Sequence, residues 1–370
     1  MTFVHQDAEF RQLVQIVSRS TGIAAALIEK DYWVTHTLWA IHQTGLDIWF
    51  KGGTSLSKGF GLIQRFSEDL DLMVQHGKFS GLPEVTNWTS VNKGPVAKRR
   101  AFYDALAAAL VVPDASVEQD ATRVDKQARS ADYLARYPGA LLAELGPALS
   151  PFVRLEVGRA RVVPHVQKSL TSFVHAHLEK QGMLADYVDN RPMEVRCVHP
   201  LVTLFEKLDA LARRYNRDDM EPDSFIRHYE DAAQIIREEN KLPEMEMAAA
   251  ALANDMLEQK DIAALPHADE PALSLDNPEK RVAVYNAYAK IAPMYWGPRI
   301  PLDEACETIR TWLALPRSPG GRLSGEGGLG PGKADRATPE RARFGQGGHG
   351  HSAAGPPPGV RAAERGAGAG

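Results

Sequence analysis

The chain has 370 residues, 44% hydrophobic and 24% charged, with a formal net charge of −4. That is enough for two domains with real cores, and no apolar run reaches the ~18–20 residues a bilayer span needs, so no membrane partner is expected. The slightly acidic balance excludes a chain-wide pull toward nucleic acid and restricts any RNA contact to a local basic patch.

Two cysteines, Cys197 and Cys306, lie far apart and in no metal-like spacing. The N-terminus lacks the basic-then-apolar layout of a secretory signal, so a reducing cytoplasm is expected. From about Asp7 to Gln43 apolar residues recur at helical spacing. In the second helix of that stretch Tyr32, Val34, Leu38 and Ile41 should face inward, with Glu29, Lys30 and Asp31 in its first turns.

A short run from Asp47 to Phe50 then enters a turn at Gly52-Gly53. Glycines let the backbone approach phosphate oxygens, and a helix starting at Thr54 would aim free N–H groups at them. Thr54, Ser55 and Lys58 belong to that candidate phosphate cradle, although the Walker spacing is absent. Taken alone, the turn reads more readily as a capped strand-to-helix connection.

Next comes Ser67-Glu68-Asp69-Leu70-Asp71-Leu72-Met73-Val74, in which acidic and apolar residues alternate. Alternation predicts a half-buried strand with Leu70 and Leu72 inward and Asp69 and Asp71 together on the opposite face. Two carboxylates ~7 Å apart at Cα suit one or two Mg²⁺ ions, which complete their shell with water and substrate phosphate. A solvated sheet edge would show the same alternation, but the Gly-Gly turn just upstream favours a metal-and-phosphate site.

Further along, Lys98–Leu110 predicts an amphipathic helix, and Val117–Gly146 has no clear period. Pro151–Val163 alternates again, with Val153, Leu155 and Val157 on one face and Arg154 and Glu156 on the other. Glu156 is a candidate third carboxylate or the partner of a neighbouring arginine. Met193–Val198 reads as another short strand, and Pro200 suits the first turn of the helix after it. The region beyond is nearly all helical. Its Lys207 sits beside an apolar stripe, with Arg214 two turns on. Asp231 lies four residues after Arg227, the spacing of an intrahelical ion pair. Spacing alone singles out neither Lys207 nor Asp231. The runs Lys98-Arg99-Arg100 and Arg213-Arg214 could meet an RNA backbone. From position 316 the chain turns rich in Gly, Pro, Ala and Arg, a composition expected to stay disordered; His349 and His351 within it make a poor metal site.

Four segments, EKDYWVTHTLWAI, FKGGTSLSKGFGLIQRFSEDLDL, TLFEKLDALARR and RHYEDAAQI, together resemble the AbiEii/AbiGii toxin family of bacterial nucleotidyltransferases, over about Ile23 to Trp312. The resemblance implies an α+β fold: a polymerase-beta-like catalytic domain with a mixed sheet, over residues 46–198, followed by a helical bundle over 199–315. Residues 1–45 would pack on the catalytic domain and 316–370 would be the tail. The family's glycine-serine turn corresponds to Gly52-Gly53 with Thr54 and Ser55, and its paired aspartates to Asp69 and Asp71 behind Ser67. The lysine of its third motif corresponds to Lys207 and the aspartate of its fourth to Asp231, which the resemblance makes catalytic. Glu156 matches no motif. The same resemblance implies Mg²⁺, an NTP co-substrate, an RNA acceptor such as the tRNA 3′ end, and a DNA-binding antitoxin of the AbiEi type encoded nearby. A small-molecule or protein acceptor, or a nucleotide-binding module without catalysis, are the rival readings.

Overall fold

The computed structural model describes residues 1–67, 69–74, 81–146 and 149–315. The expected tail, with His349 and His351, lies outside the described residues, as does Glu68. The N-terminal stretch folds as α1 (Phe10–Thr21) and α2 (Ala25–Gln43), followed by β1 (Ile48–Lys51). One helical turn, α3 (Gly52–Thr54), widens into a π turn over Ser55–Gly59, and β2 (Asp69–Val74) follows. Helix α4 (Lys93–Ala109) precedes β3 (Ser116–Val124), β4 (Ala131–Arg136), β5 (Val153–Gly158) and β6 (His165–Lys168). Helix α5 (Phe173–Lys180) and β7 (Val195–Val198) complete the sheet region. Beyond it run α6 (Pro200–Tyr215), α7 (Arg227–Arg237), α8 (Ala249–Glu258), α9 (Pro271–Ser274), α10 (Pro278–Lys290) and α11 (Leu302–Ala314). The aperiodic stretch 117–146 supplies the β3–β4 hairpin, whose register shift between Gln119 and Val124 interrupts any clean period in the sequence.

Among the described residues, seven strands form one mixed sheet in the order β3-β4-β5-β2-β1-β7-β6. At its centre β2 runs antiparallel to β1 and parallel to β5. Period-two alternation then sorts the side chains onto two faces. Phe50, Leu70, Leu72, Val153, Leu155 and Val157 are fully buried on one face, in a core shared with α1, α2, α4 and α5. Trp49 and Met73 lie on the other, in a second core built with α6, α7, α8, α10 and α11. A one-residue register slip would carry Asp69 and Asp71 into the first core, so burial of Leu70 and Leu72 determines where the carboxylates point.

Helix α2 departs from simple amphipathicity. Tyr32, Val34, Leu38 and Ile41 are inside as expected, but Glu29, Lys30 and Asp31 are buried too. Each is paid in hydrogen bonds, as buried charge requires. Glu29 accepts from the backbone N–H of Ala140 at 2.8 Å and Leu141 at 2.9 Å, and Lys30 donates to the Phe152 carbonyl at 2.8 Å. Asp31 accepts from the Phe173 N–H at 2.9 Å and pairs with Lys58. No described helix is long and apolar enough to cross a membrane.

Candidate active site

A cleft of about 960 Å³ opens where the polar end of the second sheet face meets α6 and α7. Its floor is set by strand register. Asp71 lies opposite Lys51 of β1 on one side and Glu156 of β5 on the other, and Asp69 lies opposite Arg154. Asp69, Asp71 and Glu156 therefore share one face, adjacent strands being ~4.8 Å apart, and all three line the cleft. Burial first, then Glu156 and Asp69, push the Asp71 carboxyl up to about 7, against the pull of Lys51.

The glycine bend presses directly on this floor. Gly52 has φ +77°, and a Cβ there would lie 1.7 Å from Asp71 Oδ2. A Cβ on Gly53 would lie 2.5 Å from Arg65 Nη2 and 2.7 Å from Ser67 Oγ. Both positions need glycine for space, and Gly52 needs it for conformation as well. Thr54 ties the bend to the strand, its hydroxyl 2.9 Å from the Ser67 carbonyl and 2.7 Å from that of Asp69.

Gly52, Gly53, Ser67, Asp69, Asp71, Glu156 and Lys207 all reach the cleft; Thr54, Ser55 and Lys58 do not. Thr54 is buried in the hydrogen bonds just described. Ser55 is buried beside the Cys197 thiol, which burial pushes up to about 12. Lys58 points to the other side of the bend, where its ammonium meets Asp31 at 2.5 Å, Thr35 Oγ1 at 2.9 Å and the Thr171 carbonyl at 3.1 Å. Three acceptors saturate it. The π turn after Thr54 accounts for this, because it rotates position 58 away from where a regular helix would carry it.

Across the cleft stands Lys207 of α6, with Asp231 of α7 buried behind it. They form an ion pair at 2.9 Å, and Lys207 Nζ also lies 3.3 Å from His228 Nδ1. Burial draws the Lys207 ammonium below its ordinary range, and Asp231 opposes that shift. Burial likewise pushes the Asp231 carboxyl upward, but Arg65 and then Lys207 outweigh it and hold the group far below the usual carboxylate range. The pairing that the spacing suggests between Arg227 and Asp231 is replaced by Arg65, whose Nε and Nη2 each reach a carboxylate oxygen of Asp231 at 2.7 Å. Glu156 pairs with Arg123 at 2.9 Å rather than with Arg154, which turns to Asp120.

Arg65, Lys51 and Glu206 are among the cleft residues that escape sequence reading. Arg65 is 166 positions from its partner, a separation no spacing rule covers. Lys51 and Glu206, which join β1 to α6 at 2.7 Å, are 155 apart. Of the two basic runs, only Arg213-Arg214 lines the cleft, together with Arg217 and Arg227. Arg99 is buried and donates to the carbonyls of Asn87, Ser90 and Gln127, a role in loop architecture that leaves it nothing for RNA.

Residues 38–312 match the family described as nucleotidyl transferase AbiEii toxin, type IV TA system. The chain belongs to this family. It is thus a nucleotidyltransferase toxin of a type IV toxin–antitoxin system, with an antitoxin as the implied partner. Among solved structures, a similar chain is MenT4, a nucleotidyltransferase toxin from Mycobacterium tuberculosis, at 19% identity and a TM-score of 0.36, covering 76% of this chain and 98% of that one. No curated protein matches the chain. In this AbiEii-family toxin, no group of three or more His, Cys, Asp or Glu side chains among the described residues is already arranged around a metal position. The donor chemistry still fits a hard cation. Asp69 and Asp71 are carboxylates on one strand face, and Mg²⁺ takes only one or two carboxylates from a protein, drawing its other oxygens from water and phosphate.

Proposed function

We propose that this toxin transfers a nucleotide from an NTP, with Mg²⁺, to the 3′-hydroxyl of an RNA, the acceptor end of tRNA being the foremost target. The observation that carries the reading is the Asp69–Asp71 face lying against the Gly52 backbone, with Lys207 and Arg65 in the same cleft. Asp69 and Asp71 would hold the cation, with Glu156 as a third carboxylate beside them. When bound, Mg²⁺ would offset phosphate charge and assist the displacement.

The chain's own residues supply position and field. Gly52 and Gly53 let the Asp71, Arg65 and Ser67 side chains close against bare backbone, and the Lys207 ammonium faces the negative triphosphate. In the reaction the acceptor oxygen forms a bond to the α-phosphorus while the bond from that phosphorus to the bridging oxygen breaks. Pyrophosphate departs, and the hydroxyl proton passes to a carboxylate on the cleft floor. Charge developing on the phosphoryl oxygens is met by groups already in place, the arrangement that makes electrostatic stabilisation effective. Arg213, Arg214, Arg217 and Arg227 line the same cleft, Arg213 paired with Asp209 and Arg217 with Asp219; Arg214 and Arg227 favour a polyanionic acceptor over a small neutral one.

The test is incubation with labelled NTPs, Mg²⁺ and bulk tRNA, followed by mass analysis of RNA 3′ ends. Label on tRNA that vanishes in Asp69→Ala supports the reading. Label on a protein or a small molecule moves the acceptor, and no label on any of them refutes the assignment.

A further inference from the structure

Arg65 is a buried guanidinium that lies against the glycine bend and reaches the helical side of the cleft through Asp231. Its fork donates to both oxygens of Asp231, while Lys207 donates a second bond to Oδ2. The third nitrogen, Nη1, donates to the Phe66 carbonyl at 3.1 Å. Nη2 also occupies the space that a Cβ on Gly53 would need. Asp231 itself does not line the cleft, whereas Arg65 and Lys207 both do. A carboxylate with no access to substrate can act only through the cations it holds.

The backbone around Arg65 is anchored to the far end of the chain. Arg65 bridges Tyr295 in antiparallel fashion, Phe66 N–H donates to the Met294 carbonyl at 2.7 Å, and Trp296 N–H donates to the Gln64 carbonyl at 3.1 Å. The short segment 64–66 is therefore pinned on one side to residues 294–296 and on the other, through the Arg65 side chain, to α7.

We infer that Arg65 is a positioning residue: by clamping both oxygens of Asp231 it sets the place of the Lys207 ammonium opposite the Asp69–Asp71 strand. The inference rests on the nucleotidyl-transfer reading of this cleft. Lysine cannot substitute, because a single ammonium cannot span a carboxylate as a planar fork does. The charge of the site is unchanged in Arg65→Lys; only the geometry of Asp231 is loosened.

The experiment is a double-variant cycle on the full chain: wild type, Arg65→Lys, Lys207→Met and the pair together. Binding of a fluorescent ATP analogue with Mg²⁺ and the KM and kcat of transfer are read for each. Arg65→Lys should weaken nucleotide binding about tenfold, the loss expected for a charge-assisted bidentate pair, and add nothing in the Lys207→Met background. Arg65→Met should be worse than Arg65→Lys, and far-UV circular dichroism with a melting curve identifies any variant that has not folded. Additive losses would mean that Arg65 acts on the nucleotide independently of Lys207, and wild-type behaviour of Arg65→Lys would mean that the fork is dispensable; either overturns the inference while the function stands. A wild-type protein that neither binds nor transfers nucleotide overturns both.

Discussion

Replacing Asp231 by asparagine probes the polar centre of the site with almost no change of volume. The carboxylate accepts three charge-assisted bonds, from Arg65 Nε and Nη2 at 2.7 Å and from Lys207 Nζ at 2.9 Å. Asparagine keeps one acceptor oxygen and turns an NH₂ toward a donor, so two buried cations lose their counter-charge. Removing one partner of a buried ionic group costs about 3–5 kcal/mol, and a domain of this size loses roughly 2–4 °C of melting temperature per kcal/mol. A fall of roughly 6–20 °C is expected by calorimetry or circular dichroism. The effect on Lys207 has a definite sign. Burial already draws its ammonium down and Asp231 opposes this, so in Asp231→Asn the lysine deprotonates at lower pH. Transfer should then fail earlier on the alkaline side than in wild type. Replacing all three groups with apolar residues (Arg65→Met, Lys207→Met, Asp231→Leu) should recover stability, as buried ion groups often allow, without recovering transfer. A melting temperature within about 2 °C of wild type in Asp231→Asn, far short of the loss expected for an uncompensated buried charge, would refute the electrostatic account, and transfer by the apolar triple variant would refute the catalytic one.

Gly52→Ala places a Cβ 1.7 Å from Asp71 Oδ2 at φ +77°; it should cost about 1–2 kcal/mol from the left-handed backbone alone and displace Asp71, so thermal melts and transfer assays should both register it. Acid should destabilise the fold between about pH 6.5 and 4, because burial lowers the imidazoles of His36 and His175 to about 4. The unfolded chain binds those protons first, so stability present above pH 6.5 is lost on acidification, on the order of 3 kcal/mol for each histidine; denaturant midpoints that do not move across this window would contradict it. Neutralising Arg213, Arg214 and Arg217 together should leave nucleotide binding near wild type while weakening tRNA binding and flattening its dependence on salt concentration, which filter binding at several salt concentrations would measure.

The central strands and most helices are legible in the sequence because their signals are local. Alternation in Asp69–Val74 and Val153–Gly158, and the helical stripe of Leu201, Leu204, Phe205, Leu208 and Leu211, are periods of the chain itself, enforced by which side must be buried. Those periods also determine that Asp69 and Asp71 share a face, and the Gly52-Gly53 bend is written beside them. What the sequence could not decide is pairing across distance. That Glu156 lies opposite Asp71 depends on β2–β5 register, that Asp231 answers to Arg65 and Lys207 depends on how α6 and α7 settle on the sheet, and that Lys58 turns away to Asp31 depends on a π turn after Thr54. The physical reason is the range of the forces. Burial of an alternating strand is decided residue by residue, whereas a buried ion takes whichever opposite charge the completed packing brings within about 3 Å of it.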